Sequence, residues 1–308
     1  MGGPTSQAPS LRLTHVLDNY VAARCGEVAL FRYVYRPVVA PVESPKPYFH
    51  PLRTLAGNTV TIYRPHDHVW HTGLAMTMAV LSGQNFWGGP SYVHGTGYVQ
   101  LPNNGRIEHE AWQDMTCAGG RARLDEYLSW LSAAGQPWLA EQRTIEVDEL
   151  DAAAGHWRLR FETRLRNVRA EPLIFSSPTV EGRPLAGYGG LFWRGPRSFL
   201  RGVVLAGGGL EGSEVMGRAA PWLAYVGRHD GSGDTSTVLF LDDPQNPRYP
   251  TKWFVRHDPY ACASFAFTFD EAYRLDPGAT LHLRYRIVLA GGAWPRERIE
   301  AYTRAARG

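Results

Sequence analysis

Cysteine is scarce: only Cys25, Cys117 and Cys262 occur in 308 residues. Three thiols, far apart and odd in number, exclude a disulfide framework and a CxxC zinc site, so all three are expected as small core residues. No run reaches the roughly 18 apolar residues that a membrane-spanning helix needs. No block of five like charges interrupts a chain whose net charge is +3, so neither nucleic acid nor an anionic membrane is an expected partner. Met1 to Ser10 lacks the basic-then-apolar pattern of a secretory leader, and a reducing cytoplasm is the expected setting. There is no GxSxG elbow and no phosphate-binding loop. Gly187-Tyr188-Gly189-Gly190-Leu191 is followed by no helix pattern and reads as a strand edge that something approaches closely.

Aromatic rings, by contrast, are plentiful, with ten tryptophans and fifteen tyrosines. Such rings fill cores, and they also line sugar clefts, where a ring face meets the C–H face of a pyranose. Beyond a loose tail at 1–10, the hydrophobic period is two. In His156–Arg166 the residues Trp157, Leu159, Phe161, Thr163 and Leu165 face one way, and arginines and Glu162 face the other. Leu281–Leu289 repeats this. Similar segments are Val28–Tyr35, Thr59–Tyr63, Gln142–Val147, Phe199–Leu205, Thr237–Leu241, Trp253–Arg256 and Ser264–Phe269. Gly, Pro and Asn-rich turns separate them. The pattern predicts an all-β fold, a large two-sheet antiparallel sandwich of roughly fifteen strands, as a single domain over 11–308. Only Pro295 to Ala306 reads as a helix.

The densest chemistry lies in Tyr63-Arg64-Pro65-His66-Asp67-His68-Val69-Trp70-His71-Thr72-Gly73. His66 and His68 point the same way on an extended segment, and His71 follows after an irregular step. Imidazole titrates nearest neutrality, so a pair can divide acid and base roles, with Asp67 and Arg64 tuning them. His50 and His109 lie beside turn signals, where side chains reach a cleft, and are expected to converge on the same place. His94, His156, His229 and His282 read as ordinary hydrogen-bonding residues. A divalent metal on His66, His68 and His71, or with His109 as third ligand, is one alternative. Metal-free acid–base work on a polar substrate is the other.

These motifs are similar to a bacterial family. Lys46-Pro47-Tyr48-Phe49-His50-Pro51-Leu52, Gly57 and Arg64–Leu74 resemble the group labelled PmoA, or the DUF6807-like group of unknown function around it. Asn85-Phe86-Trp87-Gly88, Gly105–His109, Gly187–Gly190, Asp243–Thr251 and Leu283–Arg286 extend the resemblance over nearly the whole chain after Leu30. It implies a sandwich like the galactose mutarotase supersandwich and companionship with sugar catabolism. It also implies a site of His50, His68, His71 and His109 with Arg53, Arg64 and Tyr188 nearby.

The expectation is therefore an isomerase or lyase acting on a carbohydrate or a polyhydroxylated or glycosylated metabolite. His71 would be the base and His68 or His109 the acid. Arg53 and Arg64 would bind substrate oxygens, and Trp70, Trp87 or Trp193 would supply a ring wall. No cofactor is required, and the partner is a small-molecule substrate. A metal-dependent oxygenase or hydrolase and a non-catalytic carbohydrate-binding module are the alternatives. The oligomeric state is open.

Overall fold

Alternation along the chain becomes two large sheets. The computed structural model describes residues 10–306, so the segment read as a tail lies, Ser10 apart, outside the described residues. The first sheet has eight antiparallel strands in the spatial order Leu11–Val16, Tyr20–Cys25, Val28–Val34, Tyr48–Leu52, Leu74–Met78, Gly189–Arg194, Cys262–Phe265 and Trp253–Arg256. The second, also of eight, runs Val203–Ala206, Trp222–Arg228, Thr235–Asp242, Thr280–Gly291, His156–Asn167, Pro137–Asp151, Arg121–Leu131 and Arg106–Ala118. Three- and two-stranded sheets complete the set.

The inner faces pack into one large hydrophobic cluster. In His156–Asn167 the predicted face, Trp157 to Leu165, is buried, and Phe161 stands opposite Ile145 on one neighbour and Tyr285 on the other. Trp130, Trp157, Trp193 and Trp253 are fully enclosed. A ring of that size removes roughly 150–250 Å² from water, an upper bound of about 4–6 kcal/mol each. The helix Arg296–Ala305 covers the outer face of the second sheet, seating Ile299 among Trp222, Leu239 and Val288.

Three segments depart from their predicted form. Thr59–Tyr63 makes only isolated bridges, to Arg53 and Thr72. The strand predicted over Ser264–Phe269 ends at Phe265, and Phe199 closes a 3-10 turn, so that strand begins only at Val203. Cys25 and Cys262 are buried, but Cys117 is exposed near the end of its edge strand, its thiol donating to Leu11 O (3.3 Å).

One polar network crosses the core. Tyr33, on the first sheet, donates to Glu126 on the second and accepts from Arg143 (2.8 Å). Arg143 also bonds both oxygens of Glu141, which takes the Trp130 indole N–H (2.6 Å) and the Thr163 hydroxyl (2.7 Å). Burial alone would discharge Arg143, but Glu141 and its neighbours outweigh it and push the pKa up. The network satisfies its own charges.

Candidate functional site

The outer face of the first sheet, at its Gly189–Arg194 end, is roofed by loops. Leu74–Met78 pairs with Gly189–Arg194 so that Ala75 stands opposite Phe192 and Leu74 opposite Trp193. Trp193 therefore faces the core, while Phe192 and Arg194 face outward beneath the roof.

Arg194 organises the histidine segment. Its backbone N–H donates to Gly73 O (2.7 Å) and its carbonyl accepts from Ile62 (3.1 Å), tying both ends of the loop to one residue. Inside the loop, His68 N–H bonds Pro65 O and His71 N–H bonds His68 O. Gly73 must be glycine: φ is +84°, and a Cβ would lie 2.3 Å from Phe49 O. The Arg194 side chain then donates through Nη1 to His71 Nδ1 (2.8 Å) and through Nη2 to Asp67 Oδ2 (2.7 Å). The same Asp67 oxygen bonds His68 Nδ1 (3.0 Å). The two imidazoles stack, with centroids 4.6 Å apart and planes at 7°.

These contacts fix two opposite tautomers. A guanidinium has no acceptor, so His71 Nδ1 must be the unprotonated nitrogen and Nε2 carries the hydrogen. Burial, then the His68 imidazole and the Arg194 guanidinium, hold the His71 pKa well below its ordinary value, so the ring stays neutral. Its Nε2 has no hydrogen-bond partner among the described residues. Asp67 behaves conversely. Burial alone would raise its pKa, but the hydrogen bonds from Arg194 and His68 outweigh that and bring it to about 2. An ionised carboxylate only accepts, so the uncharged form of the His68 ring has its hydrogen on Nδ1 and its lone pair on Nε2.

His68 and His71 line a cleft of about 360 Å³ together with Trp70, Trp87, Tyr188, Tyr260, Arg183 and Arg256. Trp87 packs on Tyr188 at 4.5 Å, and Tyr188 and Tyr98 share a hydrogen bond of 2.9 Å. Trp70 is seated by Gly88, where φ is +109° and a Cβ would lie 2.5 Å from the Trp70 Cβ. The buried Lys46 ammonium donates to the carbonyls of Glu43, Ser44 and Trp87, anchoring the loop that carries the wall. Burial lowers its pKa to about 7. Arg256 makes no ion pair among the described residues, and its buried Nε has no partner.

The cleft thus gathers His68, His71, Trp70, Trp87 and Tyr188, with Asp67 behind them. The other candidates lie elsewhere. Trp193 is core, its indole N–H bonded to Val60 O (2.8 Å). His109 sits within Arg106–Ala118 and bonds Glu126 Oε2 (2.9 Å) in the network between the sheets. Arg64 forks onto Glu43, both bonds at 2.8 Å. His50 and Arg53 line a different hollow at the other end of the first sheet. His66 turns to Arg197 (2.5 Å) in a neighbouring groove.

The residues missed by sequence reasoning are Arg194, Tyr260, Arg183, Arg256 and Tyr98. Among the described residues no three His, Cys, Asp or Glu side chains form a group able to hold a metal ion. His66, His68 and His71 are not gathered into such a group, and His66 turns away to Arg197 in a neighbouring groove. His156, His229 and His282 bond Glu149, Ser236 and Glu162. No described helix is long and apolar enough to cross a membrane.

Comparison with known proteins adds a family and a distant fold likeness. No curated protein matches the sequence. Among solved structures, the alpha-galactosidase from Lactobacillus brevis is similar at a TM-score of 0.40 and 10% identity, over 93% of this chain and 40% of that one. The chain therefore spans less than half the length of that enzyme. A model described as a family of unknown function, DUF6807, matches residues 20–304, and the chain belongs to that family.

Proposed function

We propose that the cleft is the active site of a metal-free enzyme that moves a proton on a polyhydroxylated, carbohydrate-like molecule, next to a carbonyl. His68 is the base. Its Nε2 takes the proton, and Asp67, held ionised by Arg194, stabilises the imidazolium that forms. His71 is a neutral donor whose Nε2–H bonds the oxygen on which negative charge develops. Arg183 and Arg256 bind other substrate oxygens, and Trp70, Trp87 and Tyr260 offer ring faces to the C–H surface. The proton held on His68 then returns to carbon, giving isomerisation, or leaves with a β-hydroxyl as water, giving elimination.

These roles reverse the assignment drawn from the sequence, in which His71 was the base. The observation that supports the reading is the pair of stacked imidazoles lining one cleft, His68 held through Nδ1 by Asp67 and His71 through Nδ1 by Arg194.

The test is proton exchange in deuterated water over a panel of aldoses, ketoses and sugar acids, followed by proton NMR. We expect wash-out of one C–H signal in at least one panel member, and a loss of about 10²–10⁴-fold in that rate for His68→Ala. Saturable binding without exchange would make the protein a carbohydrate-binding module. Exchange that survives in His68→Ala would remove the base from its role. Exchange abolished by dialysis against a chelator and restored by zinc or iron would replace this chemistry with that of a metal enzyme.

A further inference from the structure

The outer face of the first sheet carries a second hollow, of about 490 Å³, at its Leu11–Leu52 end. Three guanidinium groups line it: Arg24, Arg32 and Arg53. No carboxylate lines it. Among the described residues Arg32 and Arg53 make no ion pair, and Arg24 donates to Glu27 O (2.6 Å) and lies 3.9 Å from that residue's exposed carboxylate. Arg53 donates to Thr59 Oγ1 (3.2 Å) and Ala29 O (3.3 Å), and Arg32 lies over the Tyr20 ring at 4.3 Å. In the strand register Arg12 stands directly opposite Arg24, an arrangement of like charges that costs stability.

A merely solvated strand face looks different in this same molecule. On the outer face of the second sheet the arginines interleave with acids: Arg158 with Asp148 (2.8 Å), Arg160 with Glu146 (3.2 Å), Arg164 with Glu162 (2.7 Å). Around this hollow the first sheet sets Arg24, Arg32 and Arg53 together with only the exposed Glu27 as a counter-charge. Burial, then Arg32 and Arg24, lower the pKa of Arg53. Burial, then Arg53 and Arg32, bring His50 to about 4, so its ring is neutral here. The wall is aromatic. Tyr63 stacks on Tyr48 (5.2 Å, 20°) and on His50 (5.6 Å, 21°).

We propose that this hollow binds a small phosphate-bearing molecule, its phosphoryl oxygens held by Arg24, Arg32 and Arg53 and its remainder against the tyrosine rings. Guanidinium forks match the oxygens of a tetrahedral oxyanion, and a dianion relieves more of the mutual repulsion than a carboxylate does. Concavity favours a small ligand over a flat membrane or a duplex. The site is separate from the imidazole cleft and stands whether or not that cleft is catalytic.

The experiment is a thermal-shift and calorimetric titration of the full chain with inorganic phosphate, glucose 6-phosphate and glucose, against sodium chloride at matched ionic strength. We expect a saturable rise in melting temperature with both phosphates and none with glucose. A larger rise with the ester identifies a phosphorylated metabolite, and an equal rise identifies free phosphate. Arg32→Gln, at an exposed side chain that only stacks on Tyr20, should weaken binding roughly tenfold or more. Arg32→Gln with Arg53→Gln should abolish it while leaving the unliganded melting temperature unchanged or higher. The proposal is overturned if phosphate does no more than chloride, if the double variant binds as well as the native chain, or if heparin binds where neither phosphate does.

Discussion

Two short irregular stretches hold the densest motifs of this chain, and they use their polar groups in opposite ways. In the loop Asp242–Thr251 the side chains of Asp242, Asn246 and Arg248 are spent on holding the backbone. Asp242 accepts from Asn246 Nδ2 (2.8 Å), Asp243 N–H and Thr251 N–H (2.8 Å). Asn246 also clamps both backbone groups of Arg284, and Arg248 donates to three carbonyls, those of Phe267, Glu271 and Ala272. The Tyr63–Gly73 loop is equally well tied at its ends but leaves valences over: the Trp70 indole N–H, His71 Nε2 and the lone pair of His68. A distinctive motif marks a backbone that must be held one way. Only spare hydrogen-bonding capacity facing a cleft marks one that has work left to do.

The largest expected effect separates the two stretches outright. His68→Ala should cost the 10²–10⁴-fold in turnover already given while leaving the melting temperature within a few degrees of native. Asn246→Ala should do the reverse. Three or more hydrogen bonds go and the Arg284 backbone is orphaned, for about 2–4 kcal/mol by urea denaturation, with activity per folded molecule retained. Activity that falls with Asn246 at unchanged stability would erase the contrast.

A middle-sized effect probes how the open stretch is supported. Gly88→Ala puts a Cβ against Trp70 and against Glu43 O (2.7 Å) at a left-handed φ. It should cost on the order of 1–3 kcal/mol and raise KM more than it lowers kcat, since it displaces a wall and leaves both imidazoles. Steady-state kinetics on the exchanging substrate checks the split.

The smallest effect is a difference of sign in the pH dependence of stability. The folded pKa of His71 lies below that of the unfolded chain, so the unfolded state protonates first and stability falls as pH drops below about 6.5. Asp242 runs the other way. Burial raises its folded pKa to about 6, so the native state keeps a proton that the unfolded state has lost. Its contribution is fully present below about 4 and disappears as pH rises to 6. Urea midpoints of His71→Asn and Asp242→Asn between pH 4 and 7 should therefore change slope in opposite directions, by on the order of 0.5 M. Parallel changes would mean that the two groups sit in like environments.

The architecture was legible because period two is robust to everything except where a strand stops. His156–Asn167 and Thr280–Gly291 could be read from alternation alone. Thr59–Tyr63 has the same composition but meets its neighbours only at isolated bridges, and no local pattern reports that. The site was half legible. Local density exposed Asp67, His68, Trp70 and His71, and motif resemblance added Trp87 and Tyr188. Arg194 was hidden by distance, 127 residues from Asp67. Yet the same alternation that identified the strands contained it. If Trp193 faces inward then Arg194 faces outward, and choosing Trp193 for the ring wall amounted to pointing a guanidinium at the core. His50 and His109 lie beside turn signals just as the cleft histidines do. The difference is that His50 reaches a separate hollow and His109 bonds Glu126 at the edge of the network between the sheets, beside yet another hollow, which only long-range register decides.

The clasp of Arg194 on His71 makes the ring one-sided. Nδ1 is blocked by a guanidinium N–H, which offers no acceptor, so no proton can enter by the back and leave by the front. His71 is consequently barred from relaying protons between the cleft and the protein's interior. On the proposed chemistry, whatever His71 lends to a bound molecule it must recover on the cleft side.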